Sequence, residues 1–222
     1  MIFDSSGDFH WLPEDTVQKG GGCFYCAVFS ASGMQMPDAS RGIEEVTVSD
    51  SVPWKPPLLA SIKSNNYMLN CMMGMASRDK GGWFGIAVDA DGFIGESCVG
   101  NIAAVIDGTL VTPPFEGILA GTTTRRTLEM AARGRFAAVL PGGAQQRRLH
   151  ADEARSSAAE LMILGGDTHV MPIVKYDGKT VGDGSVGPVA KAVLAALEAD
   201  RDAEEADSSN HHVVNYSMYQ QA

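Results

Sequence analysis

The chain is expected to adopt an α+β fold, and three features of its 222 residues point there. Asp-Gly pairs at 91–92, 107–108 and 177–178 each sit between two runs rich in valine, isoleucine, threonine or phenylalanine. Such pairs supply the positive φ that a two-residue antiparallel turn demands, so three hairpins are predicted. Helical segments flank these hairpins along the chain, with small polar residues at their starts and glycine at their ends. Hairpins interleaved with helices imply a largely antiparallel sheet rather than a doubly wound parallel one.

In order along the chain, residues 1–20 are polar and turn-like, and "CFYCAVF" suggests a strand over about 23–30. "EEVTVSD" alternates at period two and reads as a strand. "PWKPP" is a stiff extended connector, because each proline restricts itself and the residue before it. The apolar run Leu58–Ile62 predicts a short buried strand ending near Lys63, and a helix is expected from Ser64 to Asp79 with Ser64, Asn65 or Asn66 as its cap. The hairpin "WFGIAVDADGFIGES" follows, then "NIAAVIDGTLVTPP". "TTTRRTLEMAARG" is a helix, "LHADEARSSAAELMILGG" a helix running into a strand, and "VMPIVKYDGKTVGDG" the third hairpin. "GPVAKAVLAALEAD" closes the pattern as a helix with Pro188 in its first turn.

Composition narrows the partners. The formal net charge is −10, much of it in the tail "EADRDAEEADSSN", and an acidic chain repels phosphate backbones, so no nucleic-acid partner is expected. No apolar run approaches a membrane span, and the start lacks both a signal peptide and the basic character of a transit peptide. No metal site is expected: Cys23 and Cys26 form a C-x-x-C, but neither His10 nor Cys71 supplies a second ligand pair, and His169, His211 and His212 make no metal pattern. The four cysteines read as small buried thiols of a reduced compartment.

Lys63 is the residue that asks for an explanation. An ammonium at the end of an apolar strand either reaches water along its methylene stem or is used chemically. Three blocks decide between these. "KPPLLASIKSNNYMLN", "GIAVDADGFIGESCVGNIAAVIDGTLVTPPFEGILAGTTTRRTLEMA" and "DTHVMPIVKYDGKTVGDGSVGPVAKAVLAAL" occur in this order, and together they resemble the class IV (fold type IV) pyridoxal-phosphate aminotransferases. The likeness runs from about Lys55 to Leu197 and is similar above all to the D-amino-acid transaminase, aminodeoxychorismate lyase-like and branched-chain branch.

The resemblance implies the C-terminal domain of that fold, a mixed sheet or pseudo-barrel with flanking helices, over 51–198. Residues 1–50 would be a remnant of the N-terminal domain and linker, and 199–222 an acidic, partly disordered tail. No segment resembles the family's N-terminal "H-x-x-R-L" helix, so the chain is expected to be a truncated gene model, a fragment or a degenerate paralogue. Lys63 takes the position of the lysine that forms a Schiff base with pyridoxal 5′-phosphate, in an apolar wall that favours its uncharged form. Glu96 matches the acidic partner of the pyridine nitrogen, so Glu96→Gln is expected to slow chemistry at nearly unchanged melting temperature. Gly121, Thr122 and Thr123 match the phosphate loop at a helix N-terminus, with Ala120 and Thr124 in place of the usual proline and arginine, though Arg125 and Arg126 follow. Gly166 falls where relatives carry a hydroxyl beside the phosphate, and Asp167 and Thr168 lie where the substrate carboxylate binds. Tyr67 either lines the cofactor or packs in the core.

The implied reaction moves an amino group between an amino acid, D- or branched-chain, and a 2-oxo acid. An aminodeoxychorismate lyase and a non-enzymatic or inactive fragment are the alternatives. The resemblance also implies a homodimer for the full-length protein and a cytoplasmic or plastid location.

Overall fold

The computed structural model describes residues 36–201 apart from Asp167, together with the backbone of residues 2–3 and 23–24. Met1–Met36 clusters as a unit of its own, in which β1 (Ile2–Phe3) pairs antiparallel with β2 (Cys23–Phe24). The rest of the strand expected over 23–30, most of the acidic tail, Cys26, His10, His211 and His212 lie outside the described residues.

From Pro37 onward the described chain builds one mixed, curled sheet of nine strands with helices on both faces. In order these are β3 (Ile43–Glu45), α1 (Pro57–Ala60), α2 (Met68–Asp79), β4 (Ile86–Val88), β5 (Ile94–Ser97), β6 (Asn101–Ile106) and β7 (Thr109–Thr112). A 3-10 turn at Phe115–Gly117 leads to α3 (Thr122–Ala132), β8 (Ala144–Gln146), α4 (Ala151–Ser157), β9 (Glu160–Gly165), β10 (His169–Tyr176), β11 (Lys179–Thr180) and α5 (Pro188–Arg201). The main path runs β11-β10-β9-β6-β5-β4, all antiparallel. Two parallel pairings add to it without a sequence signal: β3 joins β10, and β8 joins β7. With both directions present the fold is α+β, as expected.

β6 and β9 hold the centre. Ile102, Ala104, Leu161 and Ile163 feed one core with Met73 of α2 and Ala151 and Ala154 of α4. Ala103, Val105, Met162 and Leu164 feed the other, with Met130 of α3 and Val189, Ala190 and Val193 of α5. Both faces of these strands are covered, which is why their sequences are continuously apolar instead of alternating. One edge of β6 lies along β9; the other is shared, Asn101 facing Glu96 of β5 and Ala104–Ile106 facing β7. At the gap between them the Thr112 hydroxyl donates to Ile102 O at 2.8 Å, satisfying a carbonyl the splayed strands leave open.

The hairpins form where the Asp-Gly pairs stand. Asp107 and Gly108 have φ of 49° and 71°, and Asp177 and Gly178 have 47° and 78°, the signature of type I′ turns. Pro188 opens α5, and its next two N–H groups are accepted at 2.8 Å by the carboxylate of Glu160 on β9, a cap from a distant strand.

Three expectations are corrected. Leu58–Ile62 is not a buried strand: Pro57 starts the single helical turn α1, and Leu58, Leu59 and Ile62 are exposed. α2 begins at Met68 rather than Ser64, because Asn66 N–H donates to Ser64 Oγ and Tyr67 N–H to Asn65 O, a local turn that competes with the helix. The "EEVTVSD" strand is shorter than predicted, ending at Glu45 with a single bridge from Thr47 to Ile86. Among the described residues no helix is long and apolar enough to cross a membrane.

Candidate active site

A cleft of about 570 Å³ opens where the 55–70 segment, the β5–β6 turn, the approach to α3 and the end of β9 converge. Lys63, Tyr67, Glu96, Gly121, Thr122, Thr123 and Gly166 all line it, although about 100 positions separate the first from the last. Lys63 Nζ donates to the Tyr67 hydroxyl at 2.7 Å and lies 4.9 Å from that ring's centroid, so the turn of residues 64–66 brings the two together. Tyr67 therefore faces the cleft rather than a core. Lys63 is exposed, and it follows the short turn α1 rather than a strand, with Leu59, Ala60 and Ile62 among the residues that line the cleft beside it.

Glu96 lies in β5 almost wholly buried, 7% exposed. Its Oε1 accepts from Lys55 Nζ at 2.7 Å, and its Oε2 accepts the Leu119 backbone N–H at 3.2 Å. Lys55 is delivered by a local fit. The Trp54 ring lies over Gly95, where any Cβ would come within 2.5 Å of it, so the stiff Pro53–Pro57 connector runs beside β5 with Trp54 on Gly95 and Lys55 on Glu96. Glu96 thus carries a structural ion pair as well. Glu96→Gln would therefore also strip Lys55 of its counter-charge.

Gly121 is the N-cap of α3, and no side chain caps that helix. The N–H groups of its first turn and the positive end of its dipole line the cleft. Asn101, which carries no motif of its own, fixes this loop: Nδ2 donates to Leu119 O at 2.8 Å and Oδ1 accepts the Thr124 hydroxyl at 3.0 Å. A side chain at Gly121 would place Cβ 2.2 Å from Asn101 Oδ1. The one sequence signal for Asn101 is a buried-strand start, "GNIAA", carrying a polar residue.

Neither arginine after the loop is among the residues that line the cleft. Arg125 is exposed with its guanidinium near the Phe115 ring, and Arg126 is bound to Asp200 and Glu129. Gly166 is exposed at the rim with open space where a side chain would go. Thr168 turns inward instead of lining the cleft; its Oγ1 sits against Gly165 and is a buried side-chain atom without a hydrogen-bond partner among the described residues. Asp167 lies outside the described residues. Cys98 also lines the cleft, and burial pushes its thiol up to about 12, leaving it a packing group. Cys71 is exposed, against the expectation of buried thiols.

In chemical terms the cleft holds a primary amine, a hydroxyl beside it, an ion-paired carboxylate and an uncapped helix N-terminus suited to an anion. The chain is 36% identical over 158 residues to the chloroplastic D-amino-acid transaminase of Arabidopsis thaliana, covering 69% of this chain and 41% of that protein. It superposes on the branched-chain amino acid aminotransferase from Escherichia coli with a TM-score of 0.61 and 29% identity, over 72% of this chain and 52% of that one. It shares its fold with a branched-chain aminotransferase from the thermophilic archaeon Thermoproteus uzoniensis solved with norvaline, at a TM-score of 0.62 and 22% identity over 72% of this chain and 51% of that one. Other solved branched-chain aminotransferases of the same fold hold pyridoxamine 5′-phosphate or N-(5′-phosphopyridoxyl)-L-glutamate. The chain spans about half or less of the length of these relatives. The profile of the amino-transferase class IV family matches residues 16–176, and the chain belongs to that family.

Proposed function

We propose that this chain is part of a pyridoxal-phosphate-dependent transaminase that moves an amino group between an amino acid, D- or branched-chain, and a 2-oxo acid. The observation that carries the reading is the meeting of Lys63, Glu96 and the α3 N-terminus in one cleft. The donor set fits the cofactor. The uncapped first turn at Gly121–Thr123 suits a phosphate dianion, Glu96 suits a ring nitrogen, and Lys63 supplies an amine. Pyridoxal phosphate, when bound, supplies an aldehyde that condenses with a primary amine and a ring that accepts the electrons released at a substrate α-carbon.

On this reading each group has one task. Lys63 Nζ would be the amine that holds the cofactor's aldehyde and, when free, the base that would move a proton at the substrate α-carbon. Tyr67, hydrogen-bonded to that Nζ, holds it at a fixed place in the cleft. The backbone of Gly121–Thr123 anchors the phosphate, and Asn101 holds that backbone still. Glu96 faces the ring nitrogen. Gly166, at the cleft rim, borders the place of the cofactor's phosphate. The exposed apolar row Met68, Met72 and Met75 on α2, with Leu58 and Ile62 nearby in sequence, is the surface this reading assigns to assembly as a homodimer.

The experiment is covalent trapping. Protein incubated with pyridoxal phosphate is reduced with borohydride, digested and mapped by mass spectrometry. The adduct is expected on Lys63 and absent from Lys63→Ala, and amino acid added before reduction should deplete it. An adduct on another lysine, or one indifferent to amino acid, overturns the assignment.

A further inference from the structure

Lys55 is a second amine in the same cleft, and nothing in the reading above uses it. Its side chain is 16% exposed and its Nζ sits 2.7 Å from Glu96 Oε1, while Glu96 is itself 10% exposed by side chain. Little water reaches either group, so their attraction is weakly screened and their geometry is held. The supports are rigid: prolines at 53, 56 and 57 stiffen the connector, the Trp54 ring rests on Gly95, and Leu119 N–H holds the other carboxylate oxygen. This is a built contact, not a chance surface pair.

We propose that Lys55 is a positioning residue that shares the Glu96 carboxylate with the cofactor's ring nitrogen and thereby sets how firmly that nitrogen holds its proton. This rests on the functional reading, in which Glu96 faces the ring. The physical argument is competition for one anion. A carboxylate with no cation beside it gives its full charge to a protonated ring nitrogen. One already paired with an ammonium gives less, and the ammonium itself repels a second cation placed a few ångströms away. Each oxygen of Glu96 accepts one hydrogen bond and keeps a lone pair, so the carboxylate can serve Lys55, Leu119 and a ring nitrogen at once. Lys55 therefore weakens the electron sink without removing it, and keeps Glu96 aimed while it does so.

The test uses the full chain loaded with pyridoxal phosphate carrying 15N in the ring. The 15N chemical shift reports the proton on that nitrogen directly and is followed against pH in wild type, Lys55→Met and Lys55→Arg. Loss of the ammonium in Lys55→Met is expected to raise the pH at which the ring nitrogen loses its proton by about one unit, a tenfold gain in proton affinity. Lys55→Arg, which keeps the charge, should stay close to wild type. A purely structural brace would lower the melting temperature of Lys55→Met and leave the midpoint where it was; that result overturns the inference. So does an equal shift in Lys55→Met and Lys55→Arg. Borohydride-fixed cofactor on Lys63 is the loading control. Its absence from wild type overturns the functional reading, and this inference with it, whereas a fixed adduct with unmoved midpoints overturns this inference alone.

Discussion

Gly121→Ala isolates one steric contact at the phosphate end of the cleft. The backbone of Gly121 has φ −61° and ψ 133°, which alanine adopts without strain, so the substitution acts through its methyl group alone. That methyl would lie 2.2 Å from Asn101 Oδ1 and 3.4 Å from its Cγ. Relief requires the buried Asn101 amide to retreat by about 1 Å, a shift sufficient to break a hydrogen bond of ordinary length. Asn101 makes two such bonds, to Leu119 O and from the Thr124 hydroxyl. Orphaning one or both buried partners costs about 2–4 kcal/mol in all, which for a chain of this size lowers the melting temperature by roughly 4–16 °C. Urea unfolding of Gly121→Ala, Asn101→Ala and the double variant measures the contact itself. Asn101→Ala removes the oxygen that the new methyl strikes, so the double variant should be more stable than the sum of the single losses by about 1 kcal/mol or more. Additivity within about 0.5 kcal/mol would refute the claim that Asn101 is what confines position 121 to glycine.

Three further outcomes are expected. Gly166→Ser places a hydroxyl in open space at the cleft rim and should tighten pyridoxal phosphate by about 1 kcal/mol, roughly fivefold, in a fluorescence titration; weaker binding would contradict the assignment of that rim to the cofactor. Gly187→Ala puts a Cβ 2.2 Å from Glu160 Cδ and should dislodge the carboxylate from the first turn of α5, with a loss of about 2–3 kcal/mol in denaturant unfolding; an unchanged midpoint would show that the cap is dispensable. The Cys98 thiol, pushed up to about 12 by burial, stays protonated at pH 8, so iodoacetamide should label exposed Cys71 in the native protein and reach Cys98 only after unfolding, as mapped by peptide mass spectrometry.

What the residues determine locally is visible in the chain itself. Asp107-Gly108 and Asp177-Gly178 specify type I′ turns because only such residues accept two successive positive φ values, and both hairpins form there. Pro188 starts α5, and Gly134 with φ 75° follows the end of α3, for equally local reasons. Motif order was enough for the family. The tertiary structure decided everything that depends on residues far apart. The parallel pairings of β3 with β10 and of β8 with β7 draw on partners dozens of residues away and leave no periodic trace in "IEE" or "AQQ". Leu58–Ile62 is apolar enough for a strand, yet Pro57 at the first helical position starts a helical turn there, and Lys63 is exposed after it. Lys55 reads as a linker charge until Trp54 rests on Gly95 and carries it to Glu96. Asn101 reads as one polar residue in a strand until the α3 loop closes over it. Both contacts arise because burial inside a packed sheet forces each polar group to find a partner, and only the fold determines which partner is within reach.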